Sequence, residues 1–213
     1  MYLRGLGATR SLDAAESTLQ PTCEAGNTDA CADLGEVYFS REEGTRDLPK
    51  AAQLFRVACD RGNLRGCARF GRSLLHGLGV PADQARSIDL LQHVCNSGEP
   101  EGCLTLGGFY MGAGGARKEY AAARRFLEAA VACGGGHGTL ALMYWKGYGV
   151  EQDSKRAREL FEIGCEQGDA AACLNLGIMC QLGEGGVADH AGAVAHFGRA
   201  CHLGEKRGCT LER

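Results

Sequence analysis

An all-α solenoid of about five helix pairs, each close to 36 residues long, is the fold predicted by three features of the sequence. First, a cysteine frame, C-x-x-G-x-x-x-x-C, occurs five times, its first cysteines spaced by 36, 36, 70 and 36 residues. One further unit, without the frame, fits the long interval, and a fixed period of this size marks stacked repeats. Second, each second cysteine opens a stretch with a large apolar residue at +3, a small residue at +4 and usually Tyr or Leu at +7: CADLGEVY, CARFGRSL, CLTLGGFY and CLNLGIMC. Those spacings make one face of a helix, A, and a +4 glycine lets a neighbouring helix approach closely. Third, glycine-rich turns (HGLGVP, MGAGGARK, KGYGVE, LGEGGV) lead to a second helix, B, carrying A-x-x-x-F or a relative: AAQLF, SIDLL, AAARRF, ARELF and AVAHF.

In chain order, residues 1–10 are expected to form a flexible N-terminus and residues 11–213 a single solenoid. SLDAAESTLQPTC reads as a lone B-like helix with Pro21 disturbing its last turn. Pro49 suits a first turn, where a missing N–H does little harm. The cysteine-less unit runs HGTLALMY from His137, with Ala141 in the glycine slot. After Cys209 only TLER follows, with Glu212 in the apolar +3 slot, so the array is expected to end in a crude cap or to be cut short.

The frame needs a chemical explanation, because cysteines eight apart on one helix stand roughly 12 Å apart along its axis, too far to bond. If the first cysteine closes helix B, the frame glycine can take the left-handed conformation that ends a helix. Asn27, Asn63 and Asp169 then suit the next N-cap. The chain reverses, and the second cysteine returns beside the first, within the roughly 4.4–6.8 Å Cα separation a disulfide needs. The expected bonds are Cys23–Cys31, Cys59–Cys67, Cys95–Cys103, Cys165–Cys173 and Cys201–Cys209. Free thiols and metal ligation are the alternatives. Metal is the weaker, since zinc cysteines usually stand two to four apart.

Composition narrows the function classes. The 23 basic and 26 acidic residues are well mixed, for a net charge of −3, so no nucleic-acid partner is expected. No apolar run approaches the 18 residues of a spanning helix, so no membrane insertion is expected. The beginning, MYLRGLGATRSLDAAES, has no apolar segment typical of a signal peptide, and its arginines give only a faint transit-like character. S-x-x-K, HExxH, G-x-S-x-G and G-x-x-x-x-G-K-[ST] are absent. His190, His196 and His202, six apart, turn away from one another along a helix and make no ligand cluster. No catalytic residue, metal site or cofactor is expected.

With L-G-x-x-Y, G-x-G-V and A-x-x-x-F in units of about 36 residues, the stretch Cys23 to Cys209 resembles the SEL-one-like repeats, relatives of the tetratricopeptide repeat. The cysteine frame is similar to that of the family's disulfide-rich branch. That branch includes secreted bacterial cysteine-rich proteins and a mitochondrial intermembrane-space assembly factor for cytochrome oxidase. The resemblance implies a right-handed superhelix whose inner surface is lined by A helices and which binds other proteins. It also implies two alternatives. One is binding or slow hydrolysis of β-lactams, described for some bacterial members; the other is a role in mitochondrial assembly. It carries no catalytic role onto any residue of this chain.

Two cysteines stand outside the frame. Cys133 lies off register in a unit two residues short, with His137 in the second-cysteine slot, and Cys180 occupies the +7 position of its A helix. Both are expected to be free thiols, Cys180 in the core, and the joint at GGGHG to be the most hinge-like. If A helices bury +3, +4 and +7, their opposite face carries +2, +5, +6 and +9. Its early members, Asp33, Glu36, Arg69 and Arg72, are charged. The later ones, Phe109, Leu142, Met143, Ile178 and Met179, are apolar. These nine form the expected partner-binding face, graded from charged to apolar; the alternative is that the wider stripe packs against B helices. The chain reads as a monomeric scaffold for a protein or peptide ligand in an oxidising compartment, secreted or periplasmic in preference to the mitochondrial intermembrane space.

Overall fold

The computed structural model describes residues 12–40, 46–113 and 118–212. The expected flexible segment 1–10 and part of the MGAGGARK turn lie outside them. Among the described residues there are twelve helices: α1 (Leu12–Glu24), α2 (Thr28–Ser40), α3 (Leu48–Asp60), α4 (Leu64–His76), α5 (Gln84–Asn96), α6 (Pro100–Tyr110), α7 (Tyr120–Ala132), α8 (His137–Lys146), α9 (Ser154–Glu166), α10 (Ala170–Leu182), α11 (His190–His202) and α12 (Lys206–Leu211). The even-numbered helices are the A helices and the odd-numbered the B helices. The chain divides into two compact units, residues 1–105 and 106–213. Within the first, α1 to α5 pack each on the next, and α2 also touches α4. Within the second, α7 packs on α8, α8 to α12 pack each on the next, and α8 touches α10.

The small residue at +4 explains how closely each pair packs. A Cβ on Gly35 would fall 2.5 Å from the Phe55 ring, one on Gly71 2.7 Å from Leu91, and one on Gly177 2.5 Å from Phe197. Each large B-helix side chain therefore seats directly on the A-helix backbone. Phe55, Phe161 and Phe197 are all fully buried, contributing roughly 2–3 kcal/mol apiece. In the second unit's first pair the seat over Gly107 is taken by Leu127, 2.6 Å from where a Cβ would stand. Phe126, the aromatic of AAARRF, instead stacks on Tyr110 at 5.6 Å. Adjacent Phe and Leu both satisfy the pattern, and the spacing of the seats decides between them.

At each frame the helix reversal takes the expected form. The frame glycines Gly26, Gly62, Gly98, Gly168 and Gly204 have φ between 86° and 100°, the left-handed region a side chain disfavours. Asn63 accepts from the Gly66 N–H at 2.8 Å, and Asp169 accepts from those of Ala171 and Ala172. The paired cysteines come to Cα separations of 4.4 to 4.7 Å with their Sγ atoms bonded. Such proximity also constrains the residue before the second cysteine, which is Ala30, Gly66, Gly102, Ala172 or Gly208. A Cβ on Gly66 would meet Ala58 Cβ at 2.6 Å, and one on Gly208 would meet Phe197 O at 2.6 Å.

Two details concern the ends of the described residues. Helix α1 runs through Pro21 to Glu24, and the Pro21 carbonyl still accepts from the Ala25 N–H at 3.0 Å. A proline this close to a helix end removes one hydrogen bond without ending the helix. At the other end Glu212, in the apolar slot, folds its carboxylate back over Gly198, 2.9 Å from where a Cβ would stand.

Candidate interaction surface

Burial along the A helices follows one rule. Positions 0, +1, +3, +4 and +6 are buried in α2, α4 and α10, while +2 and +5 are partly open. This corrects the expected face at one slot. Met143 and Met179, both at +6, are fully buried, as are Val37 and Ser73 in the same slot. In α2, α4, α8 and α10 the +6 side chain is enclosed, so the open stripe keeps +2, +5 and the exposed +9 position and loses +6. Phe109, also at +6, is partly buried and packs edge-on to Tyr110 at 5.3 Å.

In the first unit the open stripe is ionic. Arg65 on α4 pairs with Asp33 on α2 at 2.6 Å. One turn on, Arg69 Nε reaches Glu36 at 2.6 Å and its Nη1 reaches Glu101 of α6 at 2.9 Å. Arg65 and Glu101 were not among the expected residues, yet a signal for them exists in the sequence. Asp33 and Arg65, Glu36 and Arg69, and Arg69 and Glu101 are opposite charges 32 or 33 residues apart, one repeat less about one helical turn. Burial pushes the Glu101 carboxyl up, outweighing the attraction of Arg69 and Arg72. The hydrogen bond to Asp33 raises Arg65.

Arg72, at +5 of α4, differs from its neighbours. Its guanidinium lies 5.1 Å over the Phe39 ring, and among the described residues it makes no ion pair. Burial, followed by the like charge of Arg69, lowers its pKa from the usual arginine value. The second unit's stripe is uncharged: Leu142 and Ile178 are half-buried and packed against the core of Phe161, Leu176 and Met179.

The remaining predicted residues fall as follows. Cys133 is unpaired and exposed at the C-cap of α7; Cys180 is unpaired and buried. Arg158 Nη2 donates toward the Cys180 sulfur at 3.3 Å, but burial still pushes that thiol up. His137 occupies the buried second-cysteine slot, its Nδ1 without a hydrogen-bond partner among the described residues. Gly136, φ 75°, precedes α8 as its N-cap residue and provides no side-chain cap. Burial lowers His196. No three His, Cys, Asp or Glu side chains among the described residues gather as a metal-ligand set.

Comparison with known proteins places the chain. No curated protein matches its sequence significantly. Among solved structures, it is similar to a protective antigen of uropathogenic Escherichia coli with an SLR fold, at 24% identity and TM-score 0.66 over 97% of this chain. It spans only 45% of that antigen's length. A Sel1 repeat protein of Oxalobacter formigenes aligns at 20% identity and TM-score 0.71 over 94% of this chain and 83% of its own. Cysteine rich protein B of Helicobacter pylori aligns at 26% identity and TM-score 0.50 over 61% of this chain and 95% of its own. The Sel1 repeat pattern itself matches residues 28–63, 65–96, 100–135, 140–169 and 170–205. Matched over most of its length and sharing the all-helical solenoid fold of these neighbours, the chain belongs to the Sel1 repeat family.

Proposed function

We propose that the chain is a protein-interaction module that receives a polypeptide partner on the +2/+5 stripe of its A helices. The observation that carries this reading is Arg72, a partly desolvated cation over an aromatic ring with no carboxylate at ion-pair distance among the described residues. Taking a charge out of water without a counter-charge is costly, and an acidic side chain from a partner would supply one. Arginine and aromatic residues together are also the types that carry most interface energy. Arg65 and Arg69, by contrast, are already matched within the chain and serve to hold α2, α4 and the start of α6 in register. In the second unit Leu142 and Ile178 offer a smaller apolar contact.

Five cysteine pairs placed for disulfides point to an oxidising compartment. No helix among the described residues is long and apolar enough to cross a membrane. On our reading the module works as a monomer in the periplasm or after secretion.

The test is affinity capture from an oxidising extract with wild type, Arg72→Glu and Leu142→Asp side by side, circular dichroism checking that each variant is folded. Losing a charge-assisted contact should reduce recovery of the partner by Arg72→Glu roughly tenfold. Equal recovery by all three proteins would discard the stripe as the binding face.

A further inference from the structure

A cleft of about 840 Å³ opens in the first unit on a different side from the ionic stripe, between α3, α4 and the loop leading into α5. Its walls are pinned by the backbone. Gly79, φ 76°, lies so close to α3 that a Cβ would fall 2.1 Å from the Leu48 carbonyl oxygen. The Asp83 N–H donates to the Leu74 carbonyl at 2.9 Å, and the Asp83 carboxylate accepts from the Arg86 N–H at 3.1 Å. Ala52, Phe70 and Leu74 form the floor, and Val80, Pro81 and Ala82 one wall. Pro81 and Ala82 are exposed. Two cations stand at the opening. Arg86 lies 5.8 Å over Phe70 and makes no ion pair among the described residues. Arg56 is 3.6 Å from Asp60, with both side chains more than 60% exposed, a weak tie. The one carboxylate lining the cleft, Asp83, is engaged in capping α5.

The second unit repeats this frame with other contents. Gly147 and Gly149 turn the loop, Asp153 caps the Arg156 N–H at 2.9 Å, and Arg156 lies 4.9 Å over Tyr144. There the lining is polar, with Glu151 and Gln152 where the first unit has Pro81 and Ala82. Arg124 on its α7 side is tied to Glu128 at 3.5 Å. Glycine turn, aspartate cap and arginine over a ring thus recur at these two places. What differs between these two places is the wall, apolar Pro81 and Ala82 in the first unit and Glu151 and Gln152 in the second, where the Glu151 carboxylate joins the lining beside Arg156.

We infer that the first unit's cleft binds a peptide segment in which a bulky apolar side chain adjoins a carboxylate. The side chain covers Phe70 and Leu74 against the Val80–Ala82 wall, and the carboxylate sits with Arg56 and Arg86. A pre-formed apolar recess with a few placed polar groups suits such a ligand, and the low polarity of its floor strengthens the charge-assisted contact. The proposal is independent of the A-helix stripe, none of whose residues lines the cleft.

Fluorescence anisotropy on the oxidised full chain tests it. The probes are fluorescein-labelled, C-terminally amidated Gly/Ser octapeptides with a single Phe-Glu, Phe-Gln or Ala-Glu step. The Phe-Glu peptide should bind saturably, and the other two about fivefold or more weakly. Arg56→Gln and Arg86→Gln should each weaken Phe-Glu binding by about fivefold. Arg156→Gln and Arg72→Glu should leave it unchanged. Equal binding of Phe-Gln, indifference to both Arg56→Gln and Arg86→Gln, or no saturation with Phe-Glu would overturn the assignment.

Discussion

Gly35 and Gly108 both lie on A helices and look interchangeable in a sequence, yet their surroundings are opposite. A methyl group on Gly35 would meet the Phe55 ring at 2.5 Å, while one on Gly108 would meet nothing within 4 Å. Gly35→Ala should therefore destabilise the protein by roughly 1–2 kcal/mol, overpacking outweighing the gain in helix propensity. Gly108→Ala should stabilise it by about 0.5–1 kcal/mol through propensity alone. Urea unfolding of the two variants decides the matter, and shifts of the same sign would contradict the packing described. The same logic governs the A-helix slots. Met143 and Met179 were legible as apolar, but whether +6 faces a partner or the core depends on how far neighbouring helices wrap round. The period of a single helix does not contain that information.

At the scale of the helix pair, stability is local. Each bonded frame closes a short loop, worth about 2.5 kcal/mol in the chain-entropy description for an eight-residue separation. Replacing Cys59 and Cys67 together by serine should lower unfolding free energy by about that amount. It should also raise hydrogen exchange at the ends of α3 and α4 while leaving α9 to α11 protected, because repeat arrays communicate chiefly with their neighbours. The α7–α8 joint has the same left-handed bend, Gly134 at φ 86°, but neither a disulfide nor a side-chain cap on α8. Amides 134–138 should accordingly exchange fastest among the inter-helix turns of the second unit, with or without reductant. Protection there equal to that around Cys165 would refute the account. Loss of the frame at this joint could be read directly from the sequence. The seating of Leu127 in place of Phe126 follows from the 36-residue spacing of Phe55, Leu91 and Leu127, though not from the A-x-x-x-F pattern, which both adjacent apolar residues fit.

For the molecule as a whole, the redox state is the property most open to direct counting. Ten of the twelve cysteines are paired, one of the others is exposed and one is buried. Protein prepared from an oxidising compartment should show one thiol reactive towards Ellman's reagent when native, that of Cys133. It should show two when unfolded, and twelve when unfolded and reduced. Burial raises the Cys180 pKa and shields its sulfur, so that thiol should respond only on unfolding. More than two thiols in unfolded, unreduced protein would remove the case for an oxidising compartment. By itself the sequence determined the repeat, the helix order, the cysteine partners and the turns that join them. All of these rest on interactions within about eight residues or on a period that any reader of the chain can measure. Tertiary structure alone decided which A-helix positions stay open and that Arg72, unlike Arg65 and Arg69, is left over an aromatic ring without an ion pair among the described residues. Those outcomes depend on contacts between residues about 30 apart in the chain, where packing and charge pairing choose among side chains that a local pattern treats as equal.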